Sequence, residues 1–220
     1  VEQFLSLSDT EQLQTIKDLN DIGQEDIIID VLMGVGIDNL SAPLLGELGR
    51  AYNNNDKPEE AIKVFKAIDK KYRDAVWNYR CAYSYGSIVS SNREAYTSEN
   101  MQQMLALLDS GVQLATKENR NDVREYCFEV MDMCRLQMDF EKCEVDYPDL
   151  CLNYSKYIAE KKKKREGVPR QRTITVEEIL ATDDMWTINE PAYWTINIYG
   201  SYDDYLESGK PFTLEQRYLN

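Results

Sequence analysis

The chain has no histidine among its 220 residues. Without imidazole there is no Ser-His-Asp or Cys-His nucleophile pair, no His-ligated zinc and no ring that changes charge near neutral pH. Long apolar runs are missing too. No stretch approaches the roughly 18 residues that a spanning helix needs, and the longest candidate, 27–35, is broken by Asp30 and Gly34. Paired cysteine motifs are lacking: Cys81, Cys127, Cys134, Cys143 and Cys151 are odd in number and never spaced C-x-x-C. That excludes a zinc ribbon and a disulfide framework, and it fits reduced core thiols in a cytoplasmic protein. Gly34-Val35-Gly36 lacks the third glycine and the lysine of a phosphate-binding loop. Basic residues are few, 25 against 39 acidic, for a net charge of −14. A chain so acidic is poorly suited to broad contact with a phosphate backbone, so no direct nucleic-acid partner is expected. Val1-Glu2-Gln3-Phe4 has neither the basic nor the apolar part of a secretory signal. These absences together imply a protein without catalysis, metal or cofactor, held neither in nor at a membrane.

What is present is a globular composition, 43% hydrophobic with a mean hydropathy of −0.55, and a series of amphipathic segments. Ser8-Asp9-Thr10-Glu11 reads as a capping box ahead of Leu13, Ile16, Leu19 and Ile22, with Gly23 as the stop. Ile27–Met33 is short and apolar and is expected to be helical like its neighbours. Residues 43–54 place Leu44, Leu45, Leu48, Ala51 and Tyr52 on one stripe. The turn Asn53-Asn54-Asn55-Asp56 follows, with Asp56 and Glu59 as a second expected box and Pro58 in the first turn. Ala61, Ile62, Val64, Phe65 and Ile68 then form an inner face, so the two segments read as a helical hairpin. Ser90–Asn100 is a polar insertion. Helices are expected at 101–117, with Met104, Leu105, Leu108, Val112 and Ala115 inward, and at 123–138, with Tyr126, Cys127, Val130, Met131 and Cys134 inward.

Leu48-Gly49-Arg50-Ala51-Tyr52 recurs as Cys81-Ala82-Tyr83-Ser84-Tyr85, every member displaced by the same interval. This period resembles the tetratricopeptide repeat, whose unit is about 34 residues long. Leu48 and Gly49 stand for that family's Leu-Gly pair, Tyr52 for its aromatic, Ala61 for its small second-helix residue and Phe65 for the aromatic beyond. The resemblance covers about residues 40–120 and implies an all-α fold, a right-handed α-solenoid whose first helices line a concave groove. It implies a protein-interaction module that binds a peptide or protein through Glu47, Arg50, Asn53 and Asn54 of one unit and Tyr79, Arg80 and Tyr83 of the next. Asn and Arg side chains suit an extended backbone, and Tyr supplies amphipathic contact area. Where the family's carboxylate-clamping members carry a lysine, this chain has Gly46.

The expected organisation is an array at 1–142, a helix with a basic end and linker at 143–172, and the beginning of a second helical domain at 173–220. Residues 156–172 hold eight basic and two acidic side chains, a local +6 that leaves −20 for the rest. The run Lys161–Arg165 reads first as a solvated helix end that complements the helix dipole. Thr175–Glu178, Ser201 and Thr213–Gln216 read as helix starts; the last stands so near Asn220 that more protein is expected to follow. Trp194–Tyr199, Tyr202–Leu206 and Phe212–Tyr218 look like the opening of a small bacterial helical domain similar to an acidic DNA-mimic family. The arrangement also resembles proteins associated with bacterial toxin–immunity systems, which implies as alternatives an acidic decoy, or an enzyme whose active site lies outside these residues.

Overall fold

The computed structural model describes residues 1–165 and three short strands beyond them, at 171–174, 193–196 and 212–217. The chain divides into two compact units, Val1–Ala159 and Glu160–Asn220.

The first unit is all-helical. Its α-helices are α1 (Glu2–Leu5), α2 (Asp9–Asp21), α3 (Glu25–Val35), α4 (Ala42–Asn54), α5 (Pro58–Ala67), α6 (Ala75–Asn92), α7 (Glu99–Lys117), α8 (Asn121–Met133) and α9 (Phe140–Asp146), followed by the start of α10 (Pro148–Arg165). The Ser8–Glu11 capping box forms, the serine side chain accepting from the Glu11 N–H and the glutamate from the Ser8 N–H. Gly23 supplies the left-handed turn after α2, and Ile27–Met33 lies within a helix. Two local expectations are corrected. The second capping box is absent: Asp56 has a positive φ, and Lys57 at the N-cap makes no side-chain bond, Pro58 having preset the first turn. Ile22 falls past the end of α2 and is 70% exposed.

Helix contacts follow a regular order. α2 touches α3, α4 touches α5, and α6 touches α7, while α2 also touches α4, α4 touches α6, and α6 touches α8. One row is thus α2–α4–α6–α8, each of its first three members backed by the helix that follows it. The N-caps Ser8, Ser41 and Asp74 recur at equal intervals along the chain, so the repeat seen at Leu48–Tyr52 extends back to include α2. The hairpin interiors are tightly packed. A Cβ on Gly49 would overlap the ring of Phe65, which is fully buried together with Leu48 and Ala61. The absent side chain therefore lets α4 and α5 close around an aromatic. In the third hairpin the close approach falls at Gly111, whose Cβ would stand 3.2 Å from Asn78 Cβ and from Cys127 Sγ. The helix expected at 123–138 stops at Met133; Cys127, Val130, Met131 and the C-cap Cys134 are buried as expected, with Phe128 beside them, but Tyr126 is 44% exposed.

In the second unit, β1 (Gln171–Ile174), β2 (Tyr193–Ile196) and β3 (Phe212–Arg217) form an antiparallel sheet in the order β1-β3-β2. Leu214 pairs with Arg172 on one side and with Ile196 on the other. The expected all-helical C-terminal segment is thereby corrected at Trp194–Ile196 and at Thr213–Gln216. A four-residue capping signature is weak evidence against a strand whose neighbours on both sides satisfy its backbone. The expected helix starts at Thr175 and Ser201 lie outside the described residues.

Candidate functional site

The inner row α2–α4–α6 carries the residues expected to bind a partner, and most of them bind each other. Glu47 is 5% exposed. Its carboxylate accepts from Arg80 at 3.0 Å and from Asn20 at 3.0 Å, with Arg50 at 3.6 Å. Arg80 also donates to the carbonyl of Gly46 at 3.1 Å, so its guanidinium lies beside that glycine. Arg50 reaches back to Asp21 on α2 at 2.9 Å. Breaking such a buried pair from one side leaves an uncompensated charge, which makes these contacts supports of the row.

A second element repeats with the helices. The Asn20 side chain donates to the carbonyl of Glu47 at 3.2 Å, and the Asn53 side chain donates to the carbonyl of Arg80 at 3.1 Å, each partner lying 27 residues on. Asn53 and Arg80 stand one full repeat period after Asn20 and Glu47. Asn53 also accepts from Ser84 at 2.7 Å, whereas the Asn20 oxygen has no partner among the described residues. Asparagine is suited to this role because its amide can tie an exposed edge of the next helix while remaining short.

Of the expected partner-binding residues, Glu47 and Asn53 are therefore buried and Arg80 is largely committed to Glu47 and Gly46. Arg50 is part-exposed and paired; Asn54 is exposed, with its amide 3.3 Å from Glu25. Tyr79 stacks on Tyr126 with ring centroids 5.2 Å apart, and burial pushes its phenol up to about 12. Tyr83 is half-buried. Arg50, Asn54, Tyr83 and Tyr126 keep exposed surface on the row, the last of them a residue that helical spacing alone puts in the core. The signal in the sequence that marks the seam is the recurrence of Asn20 as Asn53 at the repeat period.

The five cysteines are all buried and free. Burial raises the thiols of Cys81, Cys127 and Cys134 to about 12, so they stay protonated and unreactive near neutral pH. Among the described residues no group of three or more His, Cys, Asp or Glu is placed to hold a metal ion, and no helix is long and apolar enough to cross a membrane. Neither the protein-family models nor the curated proteins nor the solved structures contain a match to the chain.

Proposed function

We propose that the helical unit is a protein-interaction module, a tetratricopeptide-like stack that receives a peptide or protein along the α2–α4–α6–α8 row. The observation that carries this reading is the seam itself. Helices starting one repeat period apart are joined by the same Asn-to-carbonyl bond, and the part-exposed side chains Arg50, Tyr83 and Tyr126 fall on successive members of the row. A stack of hairpins gives one continuous surface in which each unit adds contacts without changing the fold. No step of this reading calls for catalysis or a cofactor, and a cytoplasmic setting agrees with free buried thiols.

The test is selection of peptides from a random display library on the full chain, followed by fluorescence anisotropy of the selected sequences. Tyr83→Ala combined with Tyr126→Ala is expected to weaken binding at least about tenfold, as for aromatic anchors at other interfaces. Peptides that bind the double variant unchanged would remove the row from consideration. A second reading, an acidic decoy for a basic toxin or DNA-binding surface, is favoured by the −20 carried outside residues 156–172. It predicts complexes that weaken steeply between low and moderate salt, which an aromatic groove does not require.

A further inference from the structure

The chain folds back on itself between α9 and α10, about Tyr147. Cys143 and Cys151 stand four residues to either side of it, and Phe140 and Tyr154 seven. The outer pair is in contact, Phe140 stacking on Tyr154 with ring centroids 5.9 Å apart. The inner pair is in contact too, with the two Sγ atoms 2.8 Å apart. Matching positions thus meet turn by turn, as in an antiparallel helical hairpin. Of the five buried thiols, these two alone are hydrogen-bonded to each other among the described residues.

The hold on α9 is slight. Cys143 is its one buried residue, Val145 is exposed, and the Tyr96 hydroxyl donates to Asp146 at 3.0 Å. A helix of seven residues with so few anchors belongs to the low-stability end of a fold and opens locally. Such opening brings both thiols to water. Burial pushes both up from their ordinary range, so in the closed state they stay protonated. On opening, Cys151 is the one placed to ionise. It stands in the first turn of α10, where free N–H groups favour an anion, and the Cys143 S–H can donate to its thiolate.

We propose that Cys143 and Cys151 form a redox-sensitive pair that a hydroperoxide converts to a disulfide, stapling α9 to α10. The Cys151 thiolate attacks the outer peroxide oxygen and breaks the O–O bond, becoming a sulfenic acid. The departing oxygen takes up the proton that Cys151 had lost and leaves as an alcohol or, from hydrogen peroxide, as water. The Cys143 sulfur then attacks the sulfenic sulfur, and the displaced hydroxide leaves with the Cys143 proton as a further water. Two thiols have lost two electrons and two hydrogens, and the peroxide is reduced. A resolving thiol this near captures the sulfenic acid before it is oxidised further.

The full chain is treated with hydrogen peroxide, its remaining thiols are alkylated in denaturant, and it is digested with trypsin. Peptide 143–156 contains Cys143, Cys151 and no other cysteine, and no lysine or arginine before its end. It should come out unalkylated and lighter by two hydrogens, and dithiothreitol should restore two alkylatable thiols. Cys81, Cys127 and Cys134 should be alkylated throughout. Amide hydrogen exchange in 140–146 should slow at least about tenfold on oxidation and recover on reduction. Cys151→Ser should abolish both the link and the slowing. Alkylation of both positions after peroxide, links to other cysteines or to a second chain, or exchange in 140–146 no slower in the linked form would each overturn the proposal. The mass of the unaltered chain's peptide decides this whether or not the variant folds.

Discussion

The hairpins α2–α3 and α4–α5 follow one plan and the hairpin α6–α7 departs from it, though all three begin at equal intervals along the chain. Between α2, α4 and α6 the seam is polar, made of Asn20, Asn53 and the Glu47–Arg80 pair. At the equivalent point of α6 stands Gly86, and the seam to α8 becomes a close, mostly apolar contact in which the Cys134 thiol donates to the Gly86 carbonyl. A Cβ there would meet Met133 Cε at 2.7 Å and Val130 Cγ1 at 3.0 Å, and Cys134 Sγ lies 3.3 Å from the Gly86 carbonyl. The cysteines share this asymmetry, since all five belong to α6 and later parts of the unit. A repeat whose interfaces are polar and directional fixes the register of its neighbours. The glycine seam holds by close approach and a single weak thiol bond, and there the chain accepts an insertion and a longer helix without losing its core.

The largest effect expected is in the regular part. Phe65→Ala removes a fully buried ring from against Gly49 and should cost about 3–5 kcal/mol, measured by urea unfolding. A cost below about 1 kcal/mol would mean that α4 and α5 are not held by this contact. Next comes the polar seam. Asn53→Ala removes one donor from the carbonyl of Arg80, which keeps the Ser84 hydroxyl, and takes the amide oxygen from Ser84, for about 1–3 kcal/mol. Asn20→Ala should cost at least as much, because its amide donates both to the carbonyl of Glu47 and to the buried Glu47 carboxylate. A markedly smaller cost at Asn20 would mean that Arg80 alone satisfies the Glu47 carboxylate.

The glycine seam is sharpened by pH. Burial raises the thiols of Cys81, Cys127 and Cys134 to about 12, so the fold favours their neutral forms. Stability from these groups is complete below the ordinary thiol range and falls as pH rises through it, toward about 12. The fall is at most about 1.4 kcal/mol per pH unit for each thiol. Hydrogen exchange at pH ~10, above the ordinary thiol range, should thus open α6–α8 before α2–α5, and Cys134→Ala should reduce the difference. Uniform opening would assign the alkaline sensitivity elsewhere.

Much of this contrast is legible in the sequence, and the rest is not for definite reasons. Apolar spacing places the helices because an inward stripe is a local property, and Gly49 with Phe65 points to the close approach that the packing shows. Glu47, Asn53 and Arg80 read as facing a partner since polar residues on an inner helix face have two destinations, a ligand or the next helix. Only the arrangement in space separates them. Spacing alone turns Tyr126 inward, but Cys127 and Phe128 fill that face. The short α9 hides in a polar stretch where Cys143 alone is buried. At Thr213–Gln216 the pairing that makes a strand involves residues far away along the chain, at 171–174 and 193–196, beyond the reach of a local capping rule.

The smallest effect separates the turns that follow equivalent helices. After α4 the chain turns through Asn55 and Asp56, both polar. After α8 it turns through Leu136, which is 96% exposed. A leucine in this position buries almost nothing, so Leu136→Ser should change stability by no more than about 0.5 kcal/mol in either direction. The polar turn of the second hairpin shows that the fold has no need of an apolar side chain there. A cost above about 1 kcal/mol in urea unfolding would mean that Leu136 is covered in solution, and the turn would then have to count as part of an interface within or between chains. Neutrality would instead make it an isolated apolar side chain in contact with water, as single exposed leucines commonly are.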